Sequence, residues 1–229
     1  ELRKILPEAV VPSGYAVPFY FYHEFMKATG LYDEAEKMLA DPSFQTDATV
    51  REKKLSDFRK QIKRAEVPVK LKDALQRMHD KFPAGTSLRC RSSTNNEDLE
   101  GFNGAGLYDS FTHHPDEGPI EKTLKQVWAS LWNFRAFEER EFYRIDHLRA
   151  AMGVLVHPNY KGEIANGVAV TKNIYDPNWE GYYVNVQVGE DLVTNPGAGA
   201  TPDELLIAAT GPNGEFETQY VRHSNLTEA

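Results

Sequence analysis

The chain has 229 residues, 41% of them hydrophobic and 26% charged, with a formal net charge of −8. That is enough apolar material for one large core or two modest ones, and the acidic balance argues against a general nucleic-acid binder while leaving room for a local basic pocket. The single cysteine, Cys90, excludes an internal disulfide or a multi-cysteine zinc site, and no apolar run is long enough to span a membrane, so a cytoplasmic chain with neither nucleic-acid nor membrane partners is expected.

The chain opens on Glu1-Leu2-Arg3 without an initiator methionine or a signal-peptide pattern, and reads as a piece of a longer protein. Pro12-Ser13-Gly14 suggests a turn. Pro18 then launches a helix whose buried stripe is Tyr22, Phe25 and Met26. After a break at Asp41-Pro42-Ser43, Asp47 or Thr49 caps a longer helix with Leu55, Phe58, Ile62 and Ala65 on one side. Arg51, Lys53, Lys54, Arg59, Lys60, Lys63 and Arg64 cover the rest; without interleaved aromatics for bases to stack on, that cluster reads as a solvated face. A further helix carries Leu71, Leu75 and Met78 and stops at Pro83-Ala84-Gly85.

The next stretch holds the most chemistry. In a short strand from Leu88, Leu88 and Cys90 face one side and Arg89 and Arg91 the other. Ser92, Ser93, Glu97 and Asp98 follow, then a segment with Gly101, Gly104 and Gly106. Guanidiniums beside bare backbone N–H groups suit a polyphosphate. The same residues also fit a solvated edge strand whose arginines pair with Glu97 and Asp98. Neither the Gly-x-x-x-x-Gly-Lys-Ser/Thr loop nor the three-glycine dinucleotide turn is present. Cys90, alternating with Leu88, reads as a buried structural thiol.

His113-His114, near Asp116 and Glu117, points to opposite sides of an extended segment and reads as a surface loop, not a metal site. Gly118-Pro119 starts a predicted long helix over about 120–149. Leu124, Val127, Trp128, Leu131 and Phe134 would be buried in its first half, and Phe142, Ile145 and Leu148 in its second. Arg135, Arg140 and Arg144 would mostly form intrahelical pairs with Glu138, Glu139 and Glu141. Strands are expected over 152–157, 166–172 and 182–188. Gln187, Glu190 and Asp191 at the end of the third fit metal–nucleotide coordination or, equally, a solvated sheet face capped by acids. Asn213-Gly214 signals a hairpin between strands at 205–209 and 216–221, and 195–200 is linker-like. The expected fold class is α+β, a helical layer with a mostly antiparallel sheet around a cleft. Its parts are 1–110 with the arginine strand and glycine-rich loop, 111–150 with the long helix, and a β-rich 151–229.

Arg91-Ser92-Ser93, Glu97-Asp98-Leu99, Gly104-Ala105-Gly106-Leu107 and Ser110-Phe111 together resemble the signature of the N-terminal ATP-grasp domain of the phosphoenolpyruvate synthase and pyruvate phosphate dikinase family. Val11-Pro12-Ser13-Gly14-Tyr15, Val127-Trp128-Ala129-Ser130-Leu131-Trp132, Tyr143-Arg144, Met152-Gly153-Val154-Leu155-Val156, Gly167-Val168-Ala169-Val170-Thr171 and Gly189-Glu190-Asp191-Leu192-Val193 follow the family's order, so the resemblance covers about 10–205. It implies an ATP-grasp-like fold and a kinase-type transferase domain. Such a domain binds ATP with Mg2+ and passes the β-phosphoryl group to a histidine on a separate phosphohistidine domain, from which a pyruvate-binding domain receives it. By matching position it implies Arg91 as the catalytic phosphate holder, a covering loop with Gly101, Gly104 and Gly106, Val156 and His157 at the adenine, and Gln187 and Glu190 near the metal.

Three departures accompany it. His157 stands where glutamine is expected; the family's ATP-site lysine precedes the Val-Pro segment; and Gly197-Ala198-Gly199-Ala200 stands where an arginine usually precedes Thr201-Pro202-Asp203-Glu204. No histidine sits in a phosphocarrier motif, so an ATP-binding half-reaction module that does not turn over alone is expected. A same-fold dikinase with a glucan or rifamycin acceptor, and a degenerate module that binds nucleotide or a partner without catalysis, remain as alternatives.

Overall fold

The computed structural model describes residues 2–7, 10–11, 13–96, 102, 104, 106–176, 178–189, 193, 199–209 and 215–226. They form two compact units, Glu1–Asn159 and Tyr160–Ala229.

The first unit runs α1 (Leu2–Ile5), β1 (Tyr15–Val17), α2 (Phe19–Ala28), α3 (Leu31–Ala40), α4 (Pro42–Thr46), α5 (Ala48–Arg64), α6 (Val69–His79), β2 (Leu88–Thr94), β3 (Phe111–His113), α7 (Glu121–Ser130), α8 (Phe134–Phe142) and β4 (Met152–Pro158). The apolar spacing works as expected: Tyr22, Phe25 and Met26 of α2, Leu55, Phe58 and Ile62 of α5, and Leu71 and Leu75 of α6 are all buried. Asp47 caps α5, its carboxylate accepting the N–H groups of Thr49 and Val50 at 2.8 and 3.2 Å, a bond typically worth about 1 kcal/mol. The four strands form an antiparallel sheet in the order β1-β4-β2-β3. Its inner face, with Leu88, Cys90, Val154 and Val156, packs into a core shared with Trp128 and Trp132. Burial pushes the Cys90 thiol up to about 12, which leaves it an inert core group.

Several expectations are corrected here. The helix expected over 120–149 is two helices. Leu131, Trp132 and Asn133 donate their N–H groups to the carbonyls three residues back, tightening the chain into a 3₁₀-like turn between α7 and α8. That redirection leaves Phe142 exposed, against expectation. Arg140 is fully buried instead of paired along the helix surface. His113 lies on β3, buried and bonded through Nδ1 to the Thr123 hydroxyl at 2.9 Å, so it is a core residue and not part of a surface loop. Finally, β4, grouped by sequence with the later strands, is hydrogen-bonded between β1 and β2, and the compact units divide after Asn159.

The second unit is a four-stranded antiparallel meander, β5 (Ala165–Val170), β6 (Tyr182–Val188), β7 (Asp203–Ala209) and β8 (Phe216–Arg222), in the order β5-β6-β7-β8. The β7–β8 pairing follows from the expected hairpin, whose turn at 210–214 lies outside the described residues. The helix-plus-antiparallel-sheet composition is α+β, with two sheets where one was expected.

Candidate functional site

The outer face of the first sheet presents the basic residues. Register places Arg91 beside Leu155, which in turn pairs with Ala16, and places Arg89 between His157 and Thr112. Arg91 is exposed and Arg89 half-buried, its Nη1 donating to the Thr112 hydroxyl at 3.1 Å. Burial, followed by the neighbouring Arg91 charge, pulls the Arg89 guanidinium below its ordinary value. Among the described residues neither arginine forms an ion pair with a carboxylate. Two like charges on one sheet face repel each other, so the arrangement favours an anion that both can contact.

The return limb of the glycine-rich segment runs alongside β2 into β3. Gly104 accepts the Leu107 N–H at 3.2 Å, closing a turn in which Gly106 has φ 73°, a conformation that costs any residue with a Cβ. Phe102 and Leu107 are buried against Ala136 of α8, and the Phe102 and Tyr143 rings meet edge-on at 5.3 Å. The limb then reaches β2, where the Ser110 hydroxyl accepts the Ser92 N–H at 3.1 Å. Arg91 and the glycine turn are thus joined through one short bridge. Gly14, from the early Val-Pro motif, presses on β4: a Cβ there would lie 3.0 Å from the Val156 carbonyl and 3.3 Å from the His157 Cβ.

The other sequence-derived positions divide. His157 lies on the open face, its Nδ1–H donating to the Pro158 carbonyl at 2.8 Å, which leaves Nε2 as the acceptor. Val156 is fully buried on the opposite, core-facing side, so its side chain cannot line a pocket on the arginine face. Gln187, in the second unit, is 1% exposed, and its Oε1 already accepts the Val188 N–H at 2.9 Å and the Ser224 hydroxyl at 3.0 Å. Its amide nitrogen cannot ligate a cation, so the side chain does not fit the metal role. Glu190 and Gly101 lie outside the described residues, as do Glu97 and Asp98. No group of three His, Cys, Asp or Glu residues that could hold a metal occurs among the described residues.

Sequence reasoning missed the scaffold behind the limb. Asn133, in the α7–α8 turn, donates from Nδ2 to the Leu107 carbonyl at 3.3 Å and to the Asp109 carboxylate at 3.1 Å, while Arg59 of α5 donates to its Oδ1 at 2.7 Å. Buried Arg140 donates to the Leu131 carbonyl at 2.7 Å, to His147 Nδ1 at 3.1 Å and, at 3.5 Å, to the Tyr108 hydroxyl. His147 Nε2–H then donates to Glu141 at 2.7 Å, and the imidazole stacks on Phe137 at 3.9 Å. Burial and then the Arg140 charge hold His147 below its ordinary value, keeping the neutral tautomer that accepts from Arg140. Where the segment begins, Asn95 donates to the Arg149 carbonyl and accepts the Ala151 N–H, both at 2.9 Å. The only sequence signal was an arginine at the α8 position that falls on the apolar side.

The fold and the basic face describe a domain able to hold an anionic ligand, and comparison with known proteins supplies the class. The family model for the pyruvate phosphate dikinase AMP/ATP-binding domain matches residues 1–225, and the chain belongs to that family. Among its relatives, the phosphoenolpyruvate synthase of Aeropyrum pernix is 26% identical over 228 residues, 96% of this chain and 27% of that protein. The phosphoenolpyruvate synthase of Pseudomonas aeruginosa is 27% identical over 201 residues, 86% of this chain and 25% of that protein. That of Aquifex aeolicus is 25% identical over 215 residues, covering 90% and 25%. The chain therefore spans about a quarter of the length of the curated relatives it matches, and those longer proteins carry further domains. No helix among the described residues is long and apolar enough to cross a membrane.

Proposed function

We propose that this chain is the ATP-binding module of a phosphoenolpyruvate synthase or pyruvate phosphate dikinase-like phosphotransferase, with an ATP-grasp-like build and a cytoplasmic setting. The observation that carries this reading is the pair Arg89 and Arg91 on an open sheet face, without a carboxylate partner among the described residues, stitched by Ser92 and Ser110 to the turn at Gly104 and Gly106. Phosphoryl transfer needs little covalent chemistry from a protein and much neutralisation of oxygen charge. In this reading Arg91 grips the phosphate chain and Arg89, fixed by Thr112, supports the local positive potential. Gly106 lets backbone approach the same oxygens, and His157 Nε2 offers an acceptor at the base end. Magnesium arrives as part of the nucleotide, on phosphate oxygens; Gln187 does not fit it, and Glu190 is the remaining residue proposed near it.

The β-phosphoryl group then passes to a histidine on a separate domain and onward through a pyruvate-binding domain, both in the longer protein. The family's usual arginine before Thr201 is absent, which favours a second reading, a module that binds nucleotide without turnover. Melting the chain with and without magnesium-ATP tests the shared part: a ligand at a hundred times its dissociation constant stabilises by about 2.7 kcal/mol, an upward shift easily resolved. No shift at any concentration counts against both. Incubating the longer protein with β-labelled ATP separates them, since label on a histidine supports transfer and binding without label supports the second.

A further inference from the structure

Among the described residues, the return limb, 106–110, is bonded from within by its turn and to β2 by the Ser110–Ser92 bridge. From the helical layer, Ala136 of α8 packs on Leu107, Arg140 of α8 reaches the Tyr108 hydroxyl, and the α7–α8 turn supplies the bonds to the Leu107 carbonyl and the Asp109 carboxylate. A planar amide held on one side by Arg59 at 2.7 Å has its plane set, so its two N–H vectors are aimed at Leu107 and Asp109 and not free to wander. Arg140 seats the turn carrying that amide by binding the Leu131 carbonyl, one of the orphan acceptors at the end of α7.

We propose that Asn133 is a positioning residue that sets the return limb of the glycine-rich segment against Ser92, and so fixes the turn at Gly104 and Gly106 relative to the Arg91 guanidinium. The role is distinct from binding: Asn133 acts through its bonds to the limb, with its amide oxygen and nitrogen already engaged by Arg59, Leu107 and Asp109. It rests on the ATP-binding reading for its purpose, and on the hydrogen bonds alone for its geometry. The consequence for recognition is pre-organisation. A limb already held in place loses less conformational freedom when phosphate oxygens arrive, so loosening it weakens the nucleotide without removing any group that contacts it.

The test exploits the polarity of the Asn133–Asp109 pair. Asn133→Asp keeps the acceptor for Arg59 but turns the donor into a carboxylate facing the Asp109 carboxylate. Adding Asp109→Asn restores a donor–acceptor pair with the roles exchanged. Amide hydrogen exchange at Leu107, whose N–H bonds the Gly104 carbonyl, and at Ser92, whose N–H bonds the Ser110 hydroxyl, is measured in the 229-residue chain, together with the dissociation constant for magnesium-ATP. N133D is expected to speed exchange at those two amides at least tenfold and to weaken magnesium-ATP about five- to tenfold. The double variant is expected to recover part of both, since the bond to the Leu107 carbonyl stays lost, a rescue that general destabilisation would not give. Unchanged exchange in N133D, or no recovery in the double variant, overturns the inference whatever the nucleotide does. Rescue of exchange in a chain that never binds magnesium-ATP leaves the geometry standing and overturns the nucleotide reading instead.

Discussion

Replacing Arg140 by methionine removes a buried charge that no described carboxylate neutralises, and the balance of the loss is worked from its three acceptors. Two bonds are short, to the Leu131 carbonyl at 2.7 Å and to His147 Nδ1 at 3.1 Å, while the third, to Tyr108 at 3.5 Å, counts for little. Bonds from charged donors contribute about 1.5–3 kcal/mol each, and each acceptor left buried without a partner costs about 1–3 kcal/mol. Against this, methionine no longer desolvates a guanidinium, a relief of several kcal/mol. The net expectation for R140M is a destabilisation of about 2–4 kcal/mol, or roughly 5–15 °C in melting temperature for a unit of this size. Urea unfolding followed by tryptophan fluorescence reads it directly, because Trp128 and Trp132 are fully buried in the first unit. A variant as stable as the parent, or more so, would show that the buried charge is a net burden and that the α7–α8 turn is held by packing alone.

Two further outcomes follow from the same region. Arg144 has φ 54° at the end of α8, where its N–H bonds the Glu141 carbonyl at 3.0 Å and the next N–H, from Ile145, bonds the Arg140 carbonyl at 2.8 Å. This is a Schellman ending without its usual glycine. R144G relieves about 1–2 kcal/mol of left-handed strain at some cost in unfolded-chain entropy, so a gain of about 0.5–1 kcal/mol in urea unfolding is expected, and a loss would contradict the assignment. Acid should weaken the first unit: burial first, then neighbouring cationic or imidazole groups, holds both His147 and His113 below the ordinary histidine value. Their unfolded forms take up protons near pH 6.5 while the folded forms resist, so this stability is fully present above that pH and is lost as pH falls below it. The urea midpoint should drop between pH 7.5 and 5.5, less so in His147→Gln; a flat profile would exclude the effect.

Local periodicity made much of the first unit legible. Tyr22, Phe25 and Met26 at helical spacing, Asp47 before an amphipathic run, and the alternation of Leu88, Arg89, Cys90 and Arg91 each encode burial by position alone, and each is realised. What was not legible depends on partners distant in sequence. The break after Ser130 carries no proline or glycine; it is stabilised by Arg140, ten residues on, reaching back to Leu131. Val156 and His157 were adjacent candidates for one pocket, yet strand alternation sends their side chains to opposite faces. His113-His114 beside Asp116 and Glu117 read as a surface loop once a shared metal was set aside, and the packing of α7 on β3 explains the burial of His113 beside Thr123. Gln187 looked free on a strand end, but its oxygen is taken by the Val188 N–H and by Ser224, thirty-seven residues on.

The central claim is that the Arg91 face of the first sheet holds the phosphates of ATP. Calorimetric titration of magnesium-ATP into the parent chain and into Arg91→Gln tests it most directly, because Arg91 is exposed and its loss leaves the core intact. A charge-assisted contact of about 1.5–3 kcal/mol predicts that affinity falls about ten- to a hundredfold with an unchanged melting temperature. Equal affinity in the two proteins would contradict the account.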